Sequence, residues 1–268
     1  MRVAIALLSL VALTIRCAAH GDLHGQIEAV TVAIASTPQD GELYFRRAEL
    51  HRSHGDYPSA LADYERADVQ SSAVQYGRGV VLVALHKEDE ALAAFDRCVR
   101  TTPEHSNALA ARGRIRATRG ETDATVADFD RAIETAPAPD PDLFLARANA
   151  LLAAKPPRLE AAAAGLTVAM RRLGDIVSLG AVLCEIEVQR AHFDEALAVV
   201  DRLRARSQRQ ESWLARRGEI LLKANRREEA AAAFREARTA LDALPPQSRT
   251  TKAMQELDAS LQSRLPVQ

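Results

Sequence analysis

The sequence predicts an all-α solenoid, in which short helix-turn-helix units stack and bury their apolar faces against one another. Residue types recur with a period of 34 residues along most of the chain, as in the pairs Gly79 and Gly113, Phe95 and Phe129, Cys184 and Gly218, and Val200 and Phe234. A unit of this length cannot bury its apolar face alone, so it must stack on its neighbours. The composition agrees, because 47% hydrophobic residues with only 4% aromatic residues suit alanine-rich helix packing in a folded chain.

Six copies of the unit are predicted between residues 41 and 240, each with a small residue where its two helices cross and a larger apolar residue in its second helix. The fourth copy is the least regular, because its turn gains two residues around Lys155, Pro156 and Pro157. The copies begin and end at about residues 41–71, 72–105, 106–140, 141–176, 177–210 and 211–244. Their crossing residues are Ala48, Gly79, Gly113, Ala148, Cys184 and Gly218.

Both ends of the solenoid are predicted to carry a cap. Residues 20–40 match only the second helix of a unit, through Ile27, Val30, Ala33 and Pro38. Residues 245–268 begin with two prolines that end the last unit. They continue as a C-terminal capping helix and tail, with apolar residues at helical spacing at Met254, Leu257, Leu261 and Leu265.

A small crossing residue is followed by Ala-x3-Phe or Tyr and then by a closing proline, and Gly79, Ala91, Phe95 and Pro103 are one example. This order resembles the tetratricopeptide repeat (TPR) family. The resemblance implies a right-handed superhelical solenoid. It also implies a non-catalytic scaffold that binds a segment of another protein, of unknown identity, in its concave groove. In this family the first helices line that groove, so the implied partner-binding residues are Phe45, Glu49, Arg52, Tyr76, Arg114, Asn149, Glu185, Gln189 and Glu219.

Two features of this surface have two interpretations each. Phe45 and Tyr76 are either aromatic anchors for a peptide partner or part of the core. Arginines also stand directly before the crossing residue in five units. They either pair with nearby carboxylates and cover apolar surface, or form a stripe that captures carboxylates of a partner. This arginine ladder consists of Arg47, Arg78, Arg112, Arg147 and Arg217.

The first 19 residues are typical of a secretory signal peptide. An apolar run from Val3 to Ile15 follows Arg2 and is too short for a membrane span, and Ala18 and Ala19 offer a cleavage site. We therefore expect a periplasmic or secreted protein of a bacterial envelope. A membrane would be a partner only if the signal remains as an uncleaved anchor or if Cys17 is lipidated.

Composition and motifs argue against several other classes of function. The net charge of −1 comes from arginines interleaved with acids, whereas nucleic-acid binding needs clustered positive charge. Phosphate-binding glycine loops, nucleophile elbows and zinc-spaced cysteine pairs are missing from the sequence, so we expect neither an enzyme nor a cofactor. Cys98 and Cys184 are expected to be buried and unpaired. Two alternatives remain: copper binding by His20 and His24 at a mature N-terminus, and self-assembly as a structural component.

Overall fold

The computed structural model describes residues 23–264, which form helices joined by short turns, with no strand in that range. The described chain divides into two compact units between Pro137 and Ala138. In the first unit each helix from α2 to α7 packs on its neighbour along the chain. Its helices are α1 (23–36), α2 (Gly41–His54), α3 (Tyr57–Arg66), α4 (Ser72–Ala84), α5 (Glu88–Thr101), α6 (Ser106–Thr118) and α7 (Thr122–Thr135).

The second unit follows the same pattern and ends in two helices that depart from it. Its last helix packs mainly on the preceding long helix and also touches the first helix of the last pair. The helices are α8 (Pro141–Ala153), α9 (Leu159–Leu173), α10 (Val177–Gln189), α11 (Phe193–Arg206), α12 (Glu211–Lys223), α13 (Arg227–Asp242), α14 (Pro246–Arg249) and α15 (Lys252–Arg264). This arrangement confirms the all-α repeat fold that the sequence predicts.

The helices of a pair approach closely because the crossing residue has little or no side chain. A Cβ atom added to Gly79 would lie 2.5 Å from Cε1 of Phe95, and one added to Gly218 would lie 2.5 Å from Cε1 of Phe234. At Gly113 the corresponding distance to Phe129 is 3.2 Å. The aromatic ring therefore occupies the space that a side chain at the crossing would need.

In two pairs of the second unit a larger crossing residue occurs together with a smaller second-helix residue. These are Ala148 with Leu166 and Cys184 with Val200, and all four side chains are buried. Close packing favours such combinations, because a larger side chain at the crossing leaves less room for its partner. Cys98 and Cys184 are buried free thiols, as expected, and burial raises the pKa of Cys98 to about 11.

The turn between α8 and α9 has five residues, whereas the turns within the neighbouring pairs, such as α10 and α11, have three. The backbone N–H of Arg158 donates to the carbonyl oxygen of Leu151 at 2.9 Å and closes this longer turn. The two extra residues are thus accommodated in the turn, and both helices of the pair keep buried faces.

Aspartate side chains cap the starts of three helices, α2, α3 and α8. Asp40 and Asp140 accept hydrogen bonds from the backbone N–H groups of Glu42 and Asp142 at the starts of α2 and α8. Asp56 caps α3, because its Oδ1 accepts from the backbone N–H of Ser59 at 3.3 Å. Such caps satisfy backbone donors that have no partner inside the helix.

The cap at Asp56 gives a pH-dependent prediction. Hydrogen bonds from Ser59, together with the nearby His51 and His54, hold the pKa of Asp56 below its usual value. A carboxyl with a lowered pKa stabilises the fold fully above the pKa of the unfolded chain, about 3.9, and loses that contribution as the pH falls through the folded value. We expect Asp56→Ala to lower the free energy of unfolding by about 1 kcal/mol at pH 7.

Chemical denaturation at pH 7 and at pH values below about 4 measures this effect. The difference between wild type and Asp56→Ala should shrink in acid, whereas Glu65→Ala, at an exposed acid of α3, should have little effect at pH 7. An Asp56→Ala deficit that stays constant into acid would show that the charge of the cap contributes nothing.

Some sequence-based predictions concern residues outside the described range. These remain predictions. They concern the signal peptide over residues 1–19, its cleavage site, Cys17, His20 and Leu265. Within residues 23–264, no helix combines the length and the apolar character that a membrane span requires.

Candidate functional site

The first-helix surface of the first unit begins with a connected patch on α2. The ring of Phe45 lies 6.3 Å from that of Tyr64, measured between centroids, and is half-buried against the core. Glu49 accepts a short hydrogen bond from the Tyr64 hydroxyl and a second bond from Nη2 of Arg52 at 2.5 Å. These contacts raise the pKa of Arg52, and burial together with the bond to Glu49 raises that of Tyr64.

Two residues in this patch do not belong to the surface that the sequence predicts. Tyr64 is the second-helix aromatic residue of its pair, yet its hydroxyl reaches the predicted surface residue Glu49. Gly77 on α4 makes room for it, because a Cβ atom at this position would collide with the Tyr64 phenol. The sequence carries two signals for this contact: Tyr instead of Phe at position 64, and a glycine at position 77 in addition to the crossing glycine at 79.

Tyr76 lies on the next first helix, α4, and is also half-buried. Its ring is 6.2 Å from Phe95 and 4.8 Å from His105, measured between centroids. His105 is held in place as the cap of α6, where Nδ1 accepts from the backbone N–H of Ala108 at 3.2 Å. Both predicted aromatic anchors therefore take part in packing and leave part of each ring accessible. Arg114 on α6 is exposed.

In the second unit the predicted residues differ in how strongly they are held. Asn149 and Gln189 are exposed. The other two predicted residues, Glu185 and Glu219, are joined by an arginine. Arg216 pairs with Glu185 on α10 and with Glu219 on α12, the latter at 3.2 Å. Arg216 connects two first helices in this way, and it is missing from the sequence-based set.

The C-terminal helix reaches the same surface. Nη2 of Arg264 on α15 lies 3.3 Å from Oε1 of Glu219. The guanidinium carbon of Arg264 also lies 5.3 Å from the centre of the Phe234 ring, a cation–π distance. Leu261 and Met254 of α15 are buried. Helix α15 therefore covers part of the last pair, and Glu219 is partly occupied by an internal partner.

The arginine ladder is mostly structural. Arg47 makes a two-point contact with Asp63, with both N–O distances at 2.7 Å, and also donates to the Thr31 hydroxyl at 3.0 Å. The bond to Asp63 raises the pKa of Arg47. Arg112 contacts Asp128 at 2.5 and 3.0 Å. Arg47, on the first helix α2, thus connects α3 to α1, and Arg112, on the first helix α6, is bound to α7.

The remaining contacts of the ladder support the same interpretation, with one exception. Nη1 of Arg112 also donates to Asp96 at 2.8 Å, and Arg217 pairs with Asp201 at 3.3 Å. Arg147 donates to the carbonyl oxygen of Ala161 at 3.3 Å. These carboxylate partners lie 16 positions before or after the arginine. Arg78 has alanines at both of those positions, and its buried Nε has no hydrogen-bond partner.

Histidines do not assemble into a metal site within the described range. The rings of His24 and His54 meet edge to face, with centroids 4.8 Å apart. Across residues 23–264 no group of three or more His, Cys, Asp or Glu side chains is placed to hold a metal ion. His20, the other histidine of the copper hypothesis, lies outside that range.

The repeated helix pairs and their crossing residues define a helical-repeat protein. The family profile described as tetratricopeptide repeat matches residues 20–74, 76–141 and 185–248. Because these segments make up more than half of the chain, the protein belongs to the tetratricopeptide repeat family. A search of curated proteins finds no match.

Solved structures with the same fold include several tetratricopeptide repeat proteins. A protein from Parabacteroides merdae ATCC 43184 is 18% identical, with a TM-score of 0.53, and the alignment covers 90% of this chain and 93% of that one. The C-terminal part of a repeat protein from Cytophaga hutchinsonii is 17% identical, with a TM-score of 0.66 and coverage of 88% and 94%. At these identities the likeness shows the fold alone.

A third similar structure is YrrB, described as a TPR protein with an unusual peptide-binding site. It is 14% identical, with a TM-score of 0.54 and coverage of 77% of this chain and 97% of that one. The family and fold that the sequence predicts are thereby confirmed. Repeats of this family commonly mediate contacts between proteins, and the fold is typical of non-catalytic scaffolds.

Proposed function

We propose that the protein is a non-catalytic scaffold that binds a segment of another protein on its first-helix surfaces. The observation that carries this proposal is the combination of accessible side chains with a tightly packed support. Arg114, Asn149 and Gln189 are exposed on first helices. At the crossings of these three helices the space is filled by buried side chains, namely Phe129 beside Gly113, Leu166 in the pair of Ala148 and Val200 in the pair of Cys184.

A rigid support matters for binding because ordering a flexible surface costs free energy. Here the acidic groups Glu49 and Glu185 of the surface are already held by Tyr64 and Arg216 on neighbouring helices. The binding surface is thus largely preformed, and the ordering cost falls mainly on the partner segment. YrrB, which shares the fold and is described as having a peptide-binding site, is consistent with this use of the fold.

We further propose that the protein works outside the cytoplasm, in the bacterial envelope. The support is the sequence of residues 1–19, where a short apolar run follows Arg2 and precedes Ala18 and Ala19. An uncleaved signal, or a lipidated Cys17, would hold the scaffold at a membrane. N-terminal sequencing and mass measurement of the protein purified from its host distinguish a cleaved signal, an uncleaved signal and a lipidated Cys17.

Affinity capture from an envelope extract of the native host tests the scaffold proposal. We expect Arg114→Glu to reduce the amount of captured partner at least about tenfold, because reversing a charge inside a contact surface costs several kcal/mol. Arg131→Glu is the matched control, since it makes the same change at an exposed position of the second helix α7. Alanine at Phe45 or Tyr76 is less informative, because both rings also pack on the core.

Thermal unfolding of both variants shows that they fold. Equal loss of the partner in Arg114→Glu and Arg131→Glu would contradict binding on the first-helix face. Retention of the partner by Arg114→Glu would show that Arg114 is not part of the contact surface.

A further inference from the structure

A polar cavity lies in the first unit, at the turn between α3 and α4 and beside the last turn of α5. Its volume is about 330 Å³, at the lower end of the range for ligand pockets. None of the nine predicted groove residues lines it. The lining residues are Val69, Gln70, Gln75, Arg97, Arg100 and Thr101.

Gln75 brings a buried hydrogen-bond acceptor to this cavity. The side chain is only 1% exposed, and its Nε2 donates to the carbonyl oxygen of Val69 at 2.7 Å. A carbonyl can only accept, so this bond fixes the orientation of the amide group. The other end of the amide, Oε1, is buried and has no hydrogen-bond partner. The site therefore lacks a donor, and buried polar groups without partners are rare in folded proteins.

Arg78 on the same helix does not line the cavity, but it carries a second buried group without a partner. It follows Gln75 by three residues, so the two side chains lie on one face of α4. Its Nε is buried without a hydrogen-bond partner. The corresponding arginines Arg47 and Arg112 are each paired with a carboxylate, Asp63 and Asp128 respectively. An acceptor and a donor thus stand unpaired within one turn of helix.

The other wall of the cavity carries two guanidinium groups. Arg97 and Arg100 form no ion pair with any residue between 23 and 264. The Thr101 hydroxyl donates to the carbonyl oxygen of Arg97 at 3.2 Å, which leaves its oxygen lone pairs as acceptors. Both arginines are exposed, and a guanidinium group binds a carboxylate or phosphate through two parallel N–H···O hydrogen bonds.

We propose that this cavity binds an acidic segment of a protein partner. A side-chain carboxylate would lie against Arg97 and Arg100, and a backbone N–H next to it would donate to Oε1 of Gln75. A peptide supplies both groups from adjacent atoms. The phosphate group of a phosphomonoester dianion would satisfy the arginines but brings no donor for Gln75, so the unpaired acceptor favours the peptide. The site is separate from the proposed groove.

Fluorescence anisotropy with the full chain tests this site. The probe is a fluorescein-labelled peptide with three consecutive glutamates, and the same peptide with glutamines is its control. We expect the glutamate peptide to bind and Arg97→Ala/Arg100→Ala to weaken binding at least about tenfold. Arg46→Ala/Arg131→Ala removes the same charge from exposed helix positions and should change binding less than about twofold.

Two further measurements test the geometry. Arg97→Lys/Arg100→Lys keeps the charge but loses the planar fork of donors, so it should also weaken binding. Addition of the glutamate peptide should shift the side-chain amide signal of Gln75 in an ¹⁵N–¹H spectrum. Equal weakening in the matched control, full binding by the lysine variant, or tighter binding of a phosphoserine peptide without acids would each overturn the proposal. Arg114→Glu should leave binding of the glutamate peptide intact. A failure of this site can therefore be distinguished from a failure of the proposed binding on the first-helix surface.

Discussion

Asp128→Ala is expected to lower the free energy of unfolding by about 3 kcal/mol. Asp128 is buried, with 3% of its surface exposed, and it accepts from Arg112 at 2.5 and 3.0 Å and from Arg116 at 2.9 Å. Its removal leaves Arg112 with Asp96 alone, and Arg116 with Asp96 at 3.6 Å and Glu121 at 3.8 Å. Breaking one side of a buried ion network costs more than the pair contributes, because the remaining charge stays away from water.

Chemical denaturation of wild type and variant measures this loss. Glu134→Ala on the same helix is the control, since Glu134 is exposed, and it should change stability by no more than about 0.5 kcal/mol. Asp128→Asn keeps the shape but not the charge and should fall between the two. A change below about 1 kcal/mol in Asp128→Ala would show that the arginine network does not hold the second helices together.

Gly79→Ala should lower the free energy of unfolding by about 1–3 kcal/mol, although alanine is the better helix former. The added Cβ atom would lie 2.5 Å from Cε1 of Phe95, whose ring is fully buried. Because Phe95 is enclosed by the core, the clash forces the two helices apart. The overpacking cost therefore exceeds the gain in helix propensity.

Two other glycines give a graded comparison for this prediction. Gly25 on α1 has no atom within 4 Å of an added Cβ, so Gly25→Ala should stabilise the protein by up to about 1 kcal/mol. At Gly113 the nearest atom is 3.2 Å away, and the effect should lie between the two. Similar effects of all three changes would contradict the packing at the crossing.

A compensating change tests the same packing from the other side. The pair formed by α8 and α9 has Ala148 and Leu166 where α4 and α5 have Gly79 and Phe95. Gly79→Ala/Phe95→Leu should therefore be less unstable than the sum of its single changes. Additivity of the two changes would mean that these side chains do not share one space.

The sequence predicts the fold well because the repeat is a local signal. The spacing of Gly79 and Gly113, with Phe95 and Phe129 following each of them, reports on packing within one helix pair. The partners of Arg47 and Arg112 could also have been predicted, since Asp63 and Asp128 directly precede the second-helix aromatic residues of their pairs. For Arg78 the residue before Phe95 is Ala94, so the same rule offers it no carboxylate.

The details of the candidate surface are less accessible from sequence. Glu49 and Tyr64 meet because Gly77, on a third helix, leaves room for the phenol, so three separate positions decide one contact. Arg264 approaches Glu219 only through the docking of α15 on the last pair. Such contacts depend on side-chain direction and on helix placement, which a repeat pattern does not specify.

Site-specific photo-cross-linking tests the central claim most directly. A benzophenone amino acid placed at Gln189, an exposed position of first helix α10, is compared with one at Ala198, an exposed position of second helix α11. After irradiation in cells of the native host, we expect one cross-linked partner at Gln189 and none at Ala198. Equal cross-linking at both positions, or a partner only at Ala198, would contradict binding on the first-helix surface.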